Sequence, residues 1–146
     1  MATFLAIFSA LGGVLVGNFK EEITNFFLSS RKYRFLKGKW ACKWVEFASP
    51  FAENGKKFFD QLVITRINGR LITGQGDAKK AGEWSFKGKI SQNTVTLLYT
   101  VKKGDDKSGV IILKIDLDNP NKLEGVWSQY KKGHIVTGTT SWDKSK

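Results

Sequence analysis

Between Leu36 and Trp142 apolar residues recur at every second position in run after run, and no interval between one alternating run and the next has room for a crossover helix. Parallel pairing needs a crossover of roughly a dozen residues or more, so consecutive runs are constrained to pair antiparallel. β-Branched and aromatic enrichment places strands at 39–47, 57–66, 70–75, 84–90, 95–101, 110–117, 123–130 and 135–142. Asn54-Gly55, Asn68-Gly69, Lys103-Gly104-Asp105, Asp118-Asn119-Pro120-Asn121 and Lys132-Gly133 supply turns between them. A meander of eight strands is expected to close into an up-and-down barrel.

Alternation assigns the inward faces. Trp84, Phe86, Gly88 and Ile90 share one side of their run, and Ile111, Leu113, Ile115 and Leu117 share one side of theirs. Trp40, Cys42 and Trp44, then Val95, Leu97, Tyr99 and Val101, then Leu123, Gly125, Trp127 and Gln129 complete the expected lining. In the second run Phe58, Leu62 and Ile64 cannot face inward without Asp60 and Arg66. Charges do not enter a filled core without partners or solvent, so a lumen with a cavity is expected.

A phrase recurs at strand starts: Leu36-Lys-Gly-Lys-Trp40, Leu123-Glu-Gly-Val-Trp127 and, in part, Gly82-Glu-Trp84. This G-x-W at the first strand resembles the lipocalin-like, or calycin, barrels. The resemblance implies that Trp40 plugs the closed end and is structural.

Residues 2–19 carry no charge. As a helix they would be ~27 Å long, against a hydrocarbon core of ~30 Å. One N-terminal transmembrane helix is therefore expected over 1–19, ahead of a signal peptide or a buried helix, followed by a juxtamembrane amphipathic linker at 20–35, a barrel domain at 36–142 and a tail at 143–146. Lys20, Arg31, Lys32, Arg34, Lys37 and Lys39 just downstream imply a single-pass protein with its barrel in the cytoplasm. Ser9, Gly13 and Gly17 recur at every fourth position, a spacing that allows close helix packing and hence a homo-oligomer. A single cysteine, Cys42, rules out an internal disulfide framework and fits a reducing compartment. The architecture as a whole resembles the membrane-anchored β-barrel effectors of bacterial cyclic-oligonucleotide anti-phage signalling (CBASS type). That resemblance implies a bacterial inner-membrane sensor-effector whose barrel binds a nucleotide second messenger and whose membrane helices assemble and disrupt the membrane.

Lys and Arg number 24 against 13 Asp and Glu, and the formal net charge of +11 falls entirely on residues 20–146. The excess points to an anionic partner or serves solubility. The expected partners are a cyclic oligonucleotide, membrane lipids and further copies of the chain, with no nucleic acid polymer. With one His and one Cys no metal site of the usual kind is expected, and Gly74-x-Gly76 has no helix behind it and is a turn. No catalytic residue and no cofactor is expected.

In a meander, alternate connections share one end of the barrel. Lys56-Lys57, Lys79-Lys80, Lys102-Lys103 and Lys131-Lys132 sit in or beside the first, third, fifth and seventh connections. They are expected to rim a mouth. The ligand-binding residues expected are Trp44, Tyr99, Trp127 and Gln129 inside the barrel, with Arg66, Arg70 and the rim lysines Lys79, Lys80, Lys102, Lys103, Lys131 and Lys132 meeting phosphates. Two rival readings are a tethered lipocalin-like carrier of an apolar ligand and a structural membrane adaptor.

Overall fold

The computed structural model describes Leu28 and residues 31–48, 55–78, 82–102, 107–131 and 133–146. A 3₁₀ turn at Arg34–Leu36 leads into β1 (Gly38–Ala48), β2 (Lys57–Asn68), β3 (Leu71–Ala78), β4 (Gly82–Ser91), β5 (Thr94–Val101), β6 (Ser108–Ile115), β7 (Lys122–Lys131) and β8 (His134–Lys144). Each strand pairs antiparallel with the next, and β8 returns to β1 to close the barrel. Closure leaves no edge strand unpaired. β8 runs on to Lys144, into what was expected to be a tail.

The expected fold class is corrected in one respect: among the described residues the fold is all-β, with no transmembrane helix. Among the described residues no helix is long and apolar enough to cross a membrane. The expected span at 1–19, with Ser9, Gly13 and Gly17, lies outside the described residues. Physically, the absence of charge makes such a run tolerable in lipid without requiring lipid. Its apolar side chains contribute only roughly 0.3–0.6 kcal/mol each, and Ser9, Asn18 and three glycines offset part of that.

Alternation operates as expected inside the barrel. Trp40, Leu97, Ile111, Leu113 and Trp142 are fully buried, while Lys87, Lys89 and Lys114 on the opposite faces are exposed. One end is stoppered. Leu36 is fully buried, Tyr33 donates its hydroxyl to the Gln92 carbonyl oxygen at 2.8 Å, and the Trp40 indole donates to Leu36 O at 2.9 Å. Lys144 Nζ lies 5.4 Å from the centre of the Trp40 ring and donates to Phe35 O. Trp40 is thus a plug at the closed end.

Two expected inward positions are corrected. Register between β2 and β3 shifts between Ile64 and Arg66, so a bulge interrupts the alternation and Arg66 is exposed. β6 stops at Ile115, where Asp116 Oδ1 accepts from the Asp118 N–H at 3.0 Å. Leu117 falls in that turn and is 55% exposed.

Candidate ligand-binding site

The end opposite the plug holds a cavity of about 520 Å³. Its aromatic walls are Trp44 on β1, Phe58 on β2, Trp84 on β4, Tyr99 on β5 and Trp127 on β7. Register explains why these large rings fit. Gly76 pairs with Trp84, Gly109 with Tyr99 and Gly138 with Trp127, each glycine directly across from its ring. A Cβ on Gly76 would lie 2.2 Å from Trp84 Cε2, one on Gly109 2.6 Å from Tyr99 Cε1, and one on Gly138 2.6 Å from Trp127 Nε1. The rings therefore lie over bare backbone and meet one another inside the barrel. Trp44 meets Trp84 and Trp127 edge to face, with centroids 5.9 and 6.1 Å apart, and Trp84 meets Tyr99 at 5.9 Å.

Polar groups interrupt this apolar surface at a few points. The Tyr99 hydroxyl donates to Gln129 Oε1 at 3.0 Å, and the Trp127 indole donates to Thr139 O at 3.1 Å. Burial pushes the Tyr99 phenol above its ordinary range. Asp60 and Glu46 bring two carboxyls into the cavity. Burial, and then Asp77, raise Asp60 to about 6, against a smaller opposing pull from the indoles of Trp44 and Trp84. Both indole N–H groups are turned toward the Asp60 carboxyl without forming a fully aligned hydrogen bond, and Glu46 Oε1 is unpartnered. Lys56, Lys57, Lys107 and Lys131 border the opening. Cys42, deeper on β1, is held protonated by burial and then by Asp60 and Asp143. Among the described residues no group of three or more His, Cys, Asp and Glu is placed to hold a metal ion.

Of the residues expected to bind ligand, the structure brings together Trp44, Tyr99, Trp127, Gln129 and Lys131. Arg66 and Arg70 are corrected to the other end. The bulge turns Arg66 outward into a basic groove with Arg31, Arg34 and Lys37, and Arg70 sits exposed in the β2–β3 turn. Lys102 is exposed, pairs with Glu83 at 3.5 Å and does not line the cavity. Lys79, Lys80, Lys103 and Lys132 lie outside the described residues. Sequence reasoning did not single out Glu46, Trp84 or Lys107 as ligand contacts. Glu46 was discoverable, since it extends the inward series Trp40, Cys42, Trp44 by one step.

No family model and no curated protein matches the chain. Solved structures do. A redesigned beta barrel, b11L5F_LGL, is 14% identical, with a TM-score of 0.59 over 78% of this chain and 95% of its own. EF1p2_mFAP2b bound to DFHBI is 13% identical, with a TM-score of 0.61 over 80% of this chain and 99% of its own. Another redesigned beta barrel, mFAP1 bound to DFHBI, is 16% identical, with a TM-score of 0.56 over 79% and 100%. At such identities the likeness is one of fold.

Proposed function

We propose that this barrel is a receptor for a small anionic ligand with a planar head, of the nucleotide class. The observation that carries the reading is the cavity itself: aromatic faces that accept a flat ring, opening through a border of Lys56, Lys57, Lys107 and Lys131. At about 520 Å³ it falls within the ordinary range of small-molecule sites, ~300–1,000 Å³. A base stacked on tryptophan or tyrosine would leave its phosphates among the lysines. Two barrels of similar fold are described with a small molecule, DFHBI, bound, which supports treating such a barrel as a container. In a cyclic-oligonucleotide signalling system the barrel would be the sensor, its occupancy passed on to other copies or partners.

The alternative, a carrier of apolar ligands, draws on Ala78, Val101 and Val136 in the same lining. Calorimetry on the full chain with cyclic di- and trinucleotides, mononucleotides and fatty acids decides between them. Nucleotide binding that weakens as salt rises is expected, because the bordering lysines are screened. Fatty-acid binding with no response to any nucleotide would establish the carrier instead.

A further inference from the structure

The stoppered end of the barrel carries a second recess on its outer surface. A groove of about 580 Å³ is lined by Arg31, Arg34 and Lys37 from the entry to β1 and by Thr65, Arg66, Ile67 and Asn68 from β2. None of these residues is acidic, and among the described residues none of the four cations takes part in an ion pair. Like charges drawn together repel, so the arrangement works against the compact state unless an anion joins it. Two local structures build it. β2 pairs Ile64 with Gly74 but Arg66 with Thr73, which leaves Thr65 as the extra residue of a bulge, its hydroxyl donating to Thr73 O at 3.2 Å. Ile67 packs against the core, while Thr65 and Arg66 are both exposed. On the facing wall the 3₁₀ turn is pinned. Leu36 is fully buried, the Tyr33 hydroxyl donates to Gln92 O, and the Lys37 N–H donates to Arg34 O at 3.1 Å. Ordered backbone therefore holds cations from two distant stretches of the chain over one groove.

We infer that this groove binds phosphoryl groups, in a ligand that carries at least two of them. A phosphoryl group presents three strong acceptor oxygens in different directions, so it can accept from Arg31 or Arg34 on one wall and from Arg66 on the other at once. A carboxylate has its two oxygens in one plane and suits a single guanidinium fork. Three of the four cations are arginines, whose rigid fork matches phosphate. Charge sets the number of phosphates. One phosphate monoester brings about −2 at most near neutral pH and leaves the groove positive, whereas two phosphates come close to balancing it. None of the groove's residues lines the aromatic cavity, so its occupancy does not depend on what the cavity takes. A soluble diphosphate and a lipid headgroup with two phosphates share this chemistry.

The test is calorimetry and thermal melting of the full chain with inorganic pyrophosphate, and with citrate as a carboxylate of comparable charge. Pyrophosphate should bind at low salt, raise the melting temperature and lose affinity as salt rises. Arg34→Gln with Arg66→Gln should weaken it by on the order of a hundredfold, about tenfold for each charged donor removed. Without anion this variant should melt no lower than wild type, since both side chains are exposed. Lys43→Gln with Lys114→Gln removes as many charges from exposed positions outside the groove and should bind pyrophosphate as wild type does. Citrate bound as tightly as pyrophosphate, or an equal loss in the two double variants, would reduce the groove to net charge and overturn the assignment. Sedimentation with phosphatidylcholine vesicles, with and without cardiolipin, separates the two sources. A cardiolipin-dependent gain that the double-arginine variant loses, and that pyrophosphate competes away, identifies a lipid headgroup. Pyrophosphate binding with no such gain identifies a soluble diphosphate. If neither pyrophosphate nor cardiolipin vesicles bind, the groove is not a phosphate site.

Discussion

The Asp60 carboxyl ionises at about 6 in the fold, against an ordinary 3.8, with burial as the main cause. A carboxyl whose folded pKa is raised holds its proton more tightly in the native state than in the unfolded chain. Its contribution to stability is complete below the unfolded pKa and is lost as pH rises through about 6. Thermal melts between about pH 4 and pH 7.5 should show that loss in wild type. Asp60→Asn should flatten the profile across this window and melt higher than wild type at the neutral end. Superimposable profiles would show that the charge is tolerated at no cost. Asp60 was legible in the sequence, because the alternation of Phe58, Leu62 and Ile64 forces it inward. Arg66 was misplaced by the same logic. Alternation has no means of announcing a bulge, and the shift beyond Ile64 comes from pairing with β3.

The strands themselves were legible to within a few residues, since each buries one face of an alternating run and ends at a recognisable turn. The glycines inside them were legible only in part. Gly82-x-Trp84 and Gly125-x-Trp127 stand out along the chain, yet the rings of the site depend on glycines across from them. Gly76 and Gly138 belong to other strands, and only the register reveals their roles. Gly76→Val tests this dependence. Its side chain would enter space held by the Trp84 indole, which is braced by Trp44 at 5.9 Å and Phe86 at 5.4 Å. Overpacking of this kind costs about 1–3 kcal/mol, to be read as a lower urea midpoint at unchanged slope. A midpoint equal to that of wild type would mean that the ring relocates freely and that the site's walls are not fixed by the glycine.

Eight strands, an even number, bring both termini of the barrel to one end, and that end is filled. Tyr33, Leu36 and Trp40 stopper it, and Lys144 on the last strand is tied to Phe35. The cavity is left to the other end, where the odd-numbered connections lie and where Lys56, Lys57, Lys107 and Lys131 border it. This polarity was legible from the lysine pairs and the parity of the meander. Of the two carboxyls within it, Asp60 followed from alternation, while Glu46 was not singled out. The molecule thus presents a positive border over a lumen with acidic groups, and the two should act on different rates. Border charges attract an anion before contact, whereas the walls hold it afterwards. Lys56→Gln, Lys57→Gln and Lys131→Gln together should slow nucleotide association on the order of tenfold at low salt and flatten its salt dependence. Dissociation and melting temperature should change little, since the border is outside the packed core. Tyr99→Ala should instead speed dissociation, because a base–aromatic contact is worth roughly 1–3 kcal/mol. Stopped-flow binding of GMP at two ionic strengths separates the effects. If the triple-lysine variant associates as fast as wild type at low salt, the border does not steer and the positive excess serves another purpose.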